Sequence, residues 1–437
     1  MTDSRMKKYE AYKNSGIEWI GEVPKKWKPM RFKHFVNQIT TASTHPHKIA
    51  LENIESKTGK FVSTDSEFEG NGVAFNVDDV VYGKLRPYLQ KVWKAEFEGN
   101  AVGDFFVYRA KDNCLPSYLK YVMLSDNFTS AANGSTYGAK MPRVASEFIA
   151  NSVWFLPSLS EQHGIAFYLD YKAGQIDASI SAINTQIDDM KSYRQSIISE
   201  AVTKGLNPNV PMKDSGVDWI GEIPEGWSLS RIKFETDMVL GKMLEYKEPK
   251  NNNGSYTLEP YLKSRNIGML KVFNDIEQLD RMWFNDKEKT QYELKDGDLV
   301  MNEGGDIGKV SLWKDPGFKC YIQNSVHKIT PHRDVLDSTY LQYLVSIITS
   351  KGYFNTVVSS ISIAHLTKEK LAETPILLPP LSEQQTIASY LDSKTSKIDA
   401  TIASLESQRD DLNALKQSII SEAVTGKIDV RDWKPNK

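Results

Sequence analysis

The chain has 437 residues, 40% hydrophobic and 25% charged, with 54 basic against 56 acidic side chains and a formal charge of −2. That length accommodates two or three domains, and the near-neutral charge excludes a uniformly basic nucleic-acid coat or an acidic tail protein, so that only local basic faces remain. No stretch approaches 18 consecutive apolar residues, the start Met1-Thr2-Asp3-Ser4-Arg5 has no apolar core, and the two cysteines, Cys114 and Cys320, lie far apart without CxxC spacing; a cytoplasmic protein with reduced thiols is expected.

The first marker along the chain is SGIEWIGEVPKKW at residues 15–27, which returns as SGVDWIGEIPEGW at 215–227. Behind it, strand-like runs such as Asp79 to Tyr82 and Phe105 to Tyr108 mix with helical runs such as Ser117 to Leu124, an α+β pattern. Next, Ile165, Leu169, Ile176, Ile180, Ile183, Ile187, Met190 and Ile197 step by fours and threes. Such a heptad makes a long amphipathic helix that needs a partner helix. Pro157 stops what precedes it, Ser160 is the expected N-cap and Gly205 the expected end. A second variable region follows, with a strand at Leu299 to Met301 and a helix at Thr339 to Ile348. Finally Leu378 to Thr425 repeats Leu156 to Thr203, with 28 of 48 positions identical and QSIISEAVT in both. Ile387, Leu391, Ile398, Ile402, Leu405, Leu412 and Ile419 form its seam, between Ser382 and Gly426.

The internal repeat decides the organisation: a first globular domain at 1–157, a first long helix at 158–204, a second globular domain at 205–379, a second long helix at 380–426 and a tail at 427–437. Domain termini usually lie close together, so the helix ends flanking the second domain should meet. The helices should therefore run antiparallel, and the tail should return beside the first domain. The fold class expected is α+β, two globular domains on two long antiparallel coiled-coil helices with pseudo-two-fold symmetry. About 45 residues per helix give a rod of about 65 to 70 Å.

Catalytic signatures are missing. Gly304-Gly305-Asp306-Ile307-Gly308-Lys309-Val310 is one residue short of a phosphate loop, and Val310 has no hydroxyl for a metal. Asn207-Pro208-Asn209-Val210 lacks the second proline and aromatic of an amino-methyltransferase motif, and no GxGxxG follows a strand. His45-Pro46-His47 is short of metal ligands, and Glu245-Tyr246-Lys247 lacks the partner that would make it a nuclease triplet. A recognition protein that takes no cofactor is expected.

The openings Leu156 to Gln162 and Leu378 to Gln384 (L-P-[PS]-L-S-E-Q), the closing S-I-I-S-E-A-V-T and the W-I-G-E-[VI]-P motif resemble the specificity subunit of type I restriction-modification systems. The resemblance covers nearly the whole chain. It implies two target-recognition domains that each read one half of a bipartite double-stranded DNA target. It also implies helices that measure the unread spacer and dock two methyltransferase subunits, with restriction subunits joining the complex. Methyl donor, ATP and magnesium would belong to those partners, and the chain itself would be non-catalytic. Dissimilar domains imply an asymmetric target. A non-catalytic coiled-coil scaffold that binds proteins rather than DNA is the alternative.

Charge divides unevenly along the repeats. Residues 1–157 hold 21 basic and 17 acidic side chains, net +4; the two helices hold 8 and 13, net −5; residues 205–379 hold 21 and 24, net −3. The helices should thus prefer protein partners to phosphate. In the first domain the candidate DNA contacts are Tyr82, Lys84, Arg86, Gln90 and Lys91 in one loop and Ser135, Tyr137, Lys140 and Arg143 in another. In the second they are Lys263, Arg265 and Asn266, then Asn302, Glu303 and Gly304, and Ser362 and His365 in the loop that aligns with the Tyr137 loop. Lys and Arg suit guanine or phosphate, Asn suits adenine, and Glu suits cytosine. Trp19, Trp27, Trp219 and Trp227 are expected to pack the domains on the helices. Arg194 and Lys416 interrupt the apolar seams at equivalent positions, and Arg409 does so at the position equivalent to Ile187. Arg194 and Lys416 are candidate partner-docking residues, with a snorkelling stem or a register-setting contact as the other readings.

Overall fold

The computed structural model describes residues 7–64, 69–138, 140–245, 247–249, 254–273, 279–314, 316–358 and 365–435. Contacts divide the chain into two units, residues 1–186 with 404–437 and residues 187–403. Each unit holds one α+β globular part and a portion of each of two long helices, Leu159–Lys204 and Leu381–Val424. Among the described residues no helix is long and apolar enough to cross a membrane.

The first unit is built on an antiparallel sheet in the order Val36–Ile39, Phe105–Ala110, Val80–Gly83, Val92–Lys94. Successive side chains of a strand point to opposite faces. Accordingly Val80, Tyr82, Val92 and Tyr108 join the core that holds helices Pro116–Leu124 and Asp126–Gly134, while Val81, Trp93, Phe105 and Val107 pack on a second small sheet that supplies Ile49, Phe75 and Ala101. Covered on both faces, Val80–Gly83 is buried throughout.

The second unit repeats the plan with Thr236–Leu240, Val326–Pro331, Leu299–Asn302, Val310–Trp313 and Lys271–Phe273 in one sheet. Helix Ser338–Ser350 covers the face that carries Leu299, Met301, Leu312 and Ile329. The registers correspond: Tyr82 faces Phe106 as Met301 faces His327, and Gly83 faces Phe105 as Asn302 faces Val326.

In the first unit the start of one long helix (Ile165, Tyr168, Leu169) shares a core with the end of the other (Ile420, Ala423, Val424). The second unit does the same with Ile387, Ala388 and Leu391 against Ile198, Ala201 and Val202. Within each unit the helix pair is therefore antiparallel. Ile176, Ile187 and Ile398 are buried in the seam, whereas Ile180, Ile183, Ile402, Leu405 and Leu412 are half-buried, because a two-helix seam covers one side of each residue. At the domain end Ile198 and Ile420 are fully buried in place of the expected Ile197 and Ile419, where domain packing overrides the heptad.

The repeated joint motifs have one structural meaning. Gln162 Oε1 accepts from Leu115 N at 2.8 Å, and its Nε2 donates to Asn113 O at 2.9 Å and Pro157 O at 3.1 Å. Gln384 repeats this with Asp337 N, Val335 O and Pro379 O, each at 2.9 Å. The preceding glutamates accept from the tryptophans that close the repeated 15–27 and 215–227 segments: Trp27 Nε1 donates to Glu161 at 3.4 Å and Trp227 Nε1 to Glu383 at 3.2 Å. Ser158, not Ser160, caps the first helix, with its hydroxyl 2.8 Å from Glu161 Oε2 and 3.3 Å from Glu161 N. Ser382 likewise lies inside the first turn of a helix that begins at Leu381. Gly205 and Gly426 end the helices in the left-handed region (φ 76° and 71°), and a Cβ on Gly426 would stand 2.4 Å from Pro24 Cδ. In the first unit the chain end also packs home: Asp429 N donates to Lys7 O at 2.7 Å, and the Trp433 ring lies 5.0 Å from Tyr168.

The two candidate partner-docking residues are engaged within the chain. Lys416 Nζ lies 2.7 Å from Asp177, with side chains 4% and 11% exposed, and Arg194 Nε lies 2.8 Å from Asp399. Both pairs join one long helix to the other inside a unit. Each cation is thus held in a pair between the two helices of its unit.

Candidate nucleic-acid interface

Beyond strand Val80–Gly83 the first unit turns through Lys84 to Gln90. Lys84 N donates to Asp104 O at 2.9 Å, and Val144 N donates to Lys84 O at 3.1 Å, which brings the 137–144 loop alongside. In that loop Tyr137 and Arg143 exchange backbone hydrogen bonds at 3.0 Å each, and Leu85 bridges to Arg143. Arg143 donates through Nε and Nη2 to the two oxygens of Asp104, at 3.0 and 2.8 Å. Lys84 Nζ stands 3.8 Å from the same carboxylate and 5.4 Å from the centre of the Phe106 ring. The hydrogen bond from Arg143 is the main cause that holds the Asp104 carboxyl below its ordinary value, and the Arg143 and Lys84 charges add to it. Arg86, Tyr137 and Lys140 are exposed around this cluster, and Arg86 takes left-handed backbone (φ 51°).

Other members of the expected first-domain set are occupied elsewhere. Tyr82 is 1% exposed, packed on Phe128 in the core, so it offers nothing to a duplex. Gln90 is 2% exposed and donates to Asp126 and Thr129 at 2.9 and 3.0 Å, and Gln417 of the second long helix reaches it. Lys91 Nζ donates to the carbonyls of Leu51 and Ile54, both at 2.7 Å, and burial lowers its pKa. These three are structural. Ser135 turns its hydroxyl back onto Ala132 O at 2.8 Å.

The second unit builds the same place from other residues. Glu303 N donates to Ser325 O at 3.0 Å and Leu366 N to Glu303 O at 2.7 Å, while Gly304 bridges to His365. Glu303 therefore stands where Lys84 stands, Ser325 where Asp104 does and His365 where Arg143 does. Asn302 is 2% exposed, with its Nδ2 near Asp306 O at 3.4 Å, so its expected base contact is withdrawn. Ser362 lies outside the described residues. The turn Ser264–Asn266 joins this cluster through Ser264 N, which donates to Ser325 Oγ at 3.2 Å. Lys263 and Arg265 both pair with Asp280, and Asn266 Oδ1 accepts from Lys263 N at 3.0 Å, which leaves the Arg265 side chain exposed.

Two further positions become visible only in the fold. Asn53 Oδ1 accepts from Ala50 N as Asn266 does from Lys263 N, so the turn Leu51–Asn53 is the counterpart of Ser264–Asn266, and exposed Glu52 answers Arg265. The echo A-L-E-N-I against K-S-R-N-I carries this signal in the sequence. Asp104 and Ser325 were missed as well, because only strand pairing sets them beside Lys84 and Glu303.

A family model for the type I restriction modification DNA specificity domain matches residues 224–409, and the joints of that segment recur in the other half of the chain. The chain is 26% identical over 441 residues to the type I restriction enzyme MjaVIII specificity subunit of Methanocaldococcus jannaschii, with 94% of this chain and 95% of that one covered. Over nearly its whole length the chain is similar to type I restriction-modification specificity subunits. The EcoDI specificity subunit of Escherichia coli is 26% identical over 240 residues, 52% of this chain and 53% of that one. A solved chain, from work on complex assembly and conformational transition of the type I R-M system, has the same fold at TM-score 0.70 and 19% identity, covering 93% of this chain and 99% of that one. The chain presents two equivalent loop clusters whose charges are exchanged: Glu52 and Lys84 in one, Arg265 and Glu303 in the other.

Proposed function

We propose that this specificity subunit reads an asymmetric, bipartite double-stranded DNA target, one half through the Lys84–Arg143 cluster and the other through the Glu303–His365 cluster. The observation that carries this reading is the exchange of charge at matched backbone positions. A lysine can donate to guanine or to a phosphate, whereas a glutamate can only accept, as from cytosine, so the matched positions cannot make the same contact and one fold yields two dissimilar half-sites. Residues 1–157 and 205–379 serve as the recognition domains. The helices at 158–204 and 380–426 fix the spacing and dock two methyltransferase subunits, and the 427–437 tail closes the first domain.

The chain is itself non-catalytic and takes no cofactor; methyl transfer belongs to the docked subunits, and cleavage to restriction subunits in the full cytoplasmic complex. The acidic character of the helices supports protein docking there over phosphate contact. The test is retention of duplex DNA by the chain with its methyltransferase subunits as salt rises. A DNA reader loses affinity linearly in log salt, with a slope of about −0.9 per phosphate contacted. A protein scaffold shows no slope.

A further inference from the structure

We infer that Asp104 is a positioning residue that presents Arg143 to a guanine in the half-site read by the first unit, an assignment that rests on the DNA-reading function proposed above. The guanidinium is planar and carries five donors in a fixed fork. Asp104 takes the Nε and Nη2 side of that fork in a two-point contact at 3.0 and 2.8 Å. The remaining Nη edge is a second two-donor face, and guanine is the base that offers two acceptors, O6 and N7, side by side in the major groove. Arg143 is fixed from behind as well, through its backbone pairing with Tyr137 and its bridge to Leu85. Its side chain is 34% exposed, so the free edge is open to a ligand.

A structural salt bridge is the rival explanation, and the repeat speaks against it. The second unit makes the same backbone connections with Ser325 in place of Asp104 and His365 in place of Arg143. The fold therefore closes without this ion pair. What changes between the units is the chemistry offered at the surface. Lys84, 3.8 Å from Asp104, is the less constrained cation, and its single ammonium suits a phosphate beside the guanine.

The experiment is selection of bound duplexes from a random-sequence library by the chain with its methyltransferase subunits, followed by sequencing. The unaltered chain should recover a two-part motif. Arg143→Gln should lose about tenfold to hundredfold of its preference at one guanine and keep the other half-site. Asp104→Asn should relax the same guanine by a smaller factor and raise affinity for random duplex at low salt, because the cations lose their countercharge. Arg143→Lys, which keeps the charge without the fork, should behave like Arg143→Gln in base preference. An unchanged motif in Arg143→Lys and Asp104→Asn overturns the assignment while the DNA-reading function stands. Failure of the unaltered chain to recover any motif overturns both.

Discussion

Lys416 Nζ lies 2.7 Å from the Asp177 carboxylate, and 17 residues further along one helix and 17 back along the other, Arg194 lies 2.8 Å from Asp399. The two pairs are the same pair in the two copies of the repeat. Partner numbers that move in opposite directions are the mark of antiparallel helices. In the first pair, burial of both charges makes the loss of one partner expensive. Lys416→Ala should destabilise the chain by less than the roughly 3–5 kcal/mol of a buried charge left wholly unpaired, because Lys60 Nζ still lies 3.1 Å from Asp177, and Lys416→Met with Asp177→Asn should cost less again, since it removes both buried charges. Arg194→Ala, at the more exposed pair, should cost about 0.2–1 kcal/mol. Denaturant unfolding of the three variants measures these differences.

The LSEQ glutamines are the second point of leverage. Gln162 satisfies one backbone N–H and two carbonyls where domain meets helix, and Gln384 does the same in the other unit. Replacement by alanine strands those groups, at about 1–3 kcal/mol for each that stays buried. Gln162→Ala and Gln384→Ala should lower the unfolding midpoint by similar amounts. A loss confined to one of them would mean the joints are not equivalent.

Acid should loosen the second unit through His327. The ring is fully buried, Nε2 lies 2.7 Å from Leu366 O, and Nδ1 has no hydrogen-bond partner among the described residues. Desolvation is the main cause that holds its pKa below 6.5, against the opposing hydrogen bond to Leu366 and the charges of Glu303 and Glu369. The folded chain then binds fewer protons than the unfolded chain below about pH 6.5. The contribution is present above that pH and is lost as pH falls through the folded value. His327→Phe, which installs the residue found at the matching Phe106, should remove this part of the acid sensitivity. Thermal melting of both forms at neutral pH and near pH 5.5 measures it.

How much was legible followed the range of each signal. The heptads, the doubled joints and the glycine ends are local or repeated patterns, and they placed the long helices and the α+β class. Tyr82, Gln90, Lys91 and Asn302 misled because their polarity suggested surface loops, while strand pairing and carbonyls distant in sequence take them inside. For Arg194 and Lys416 the sequence left docking, register-setting and snorkelling readings open, because their partners, Asp399 and Asp177, sit on the other helix. Arg143 was visible as a basic loop residue, but Asp104 was not, because the 39 residues between them are closed only by the sheet.

The central claim is that one chain reads two unlike half-sites at a fixed spacing, and base methylation in the host genome tests it most directly. Sequencing of methylated bases with and without the gene should show the loss of one asymmetric, two-part motif with a constant spacer. An unchanged methylation pattern, or loss of a single continuous or symmetric motif, would contradict it.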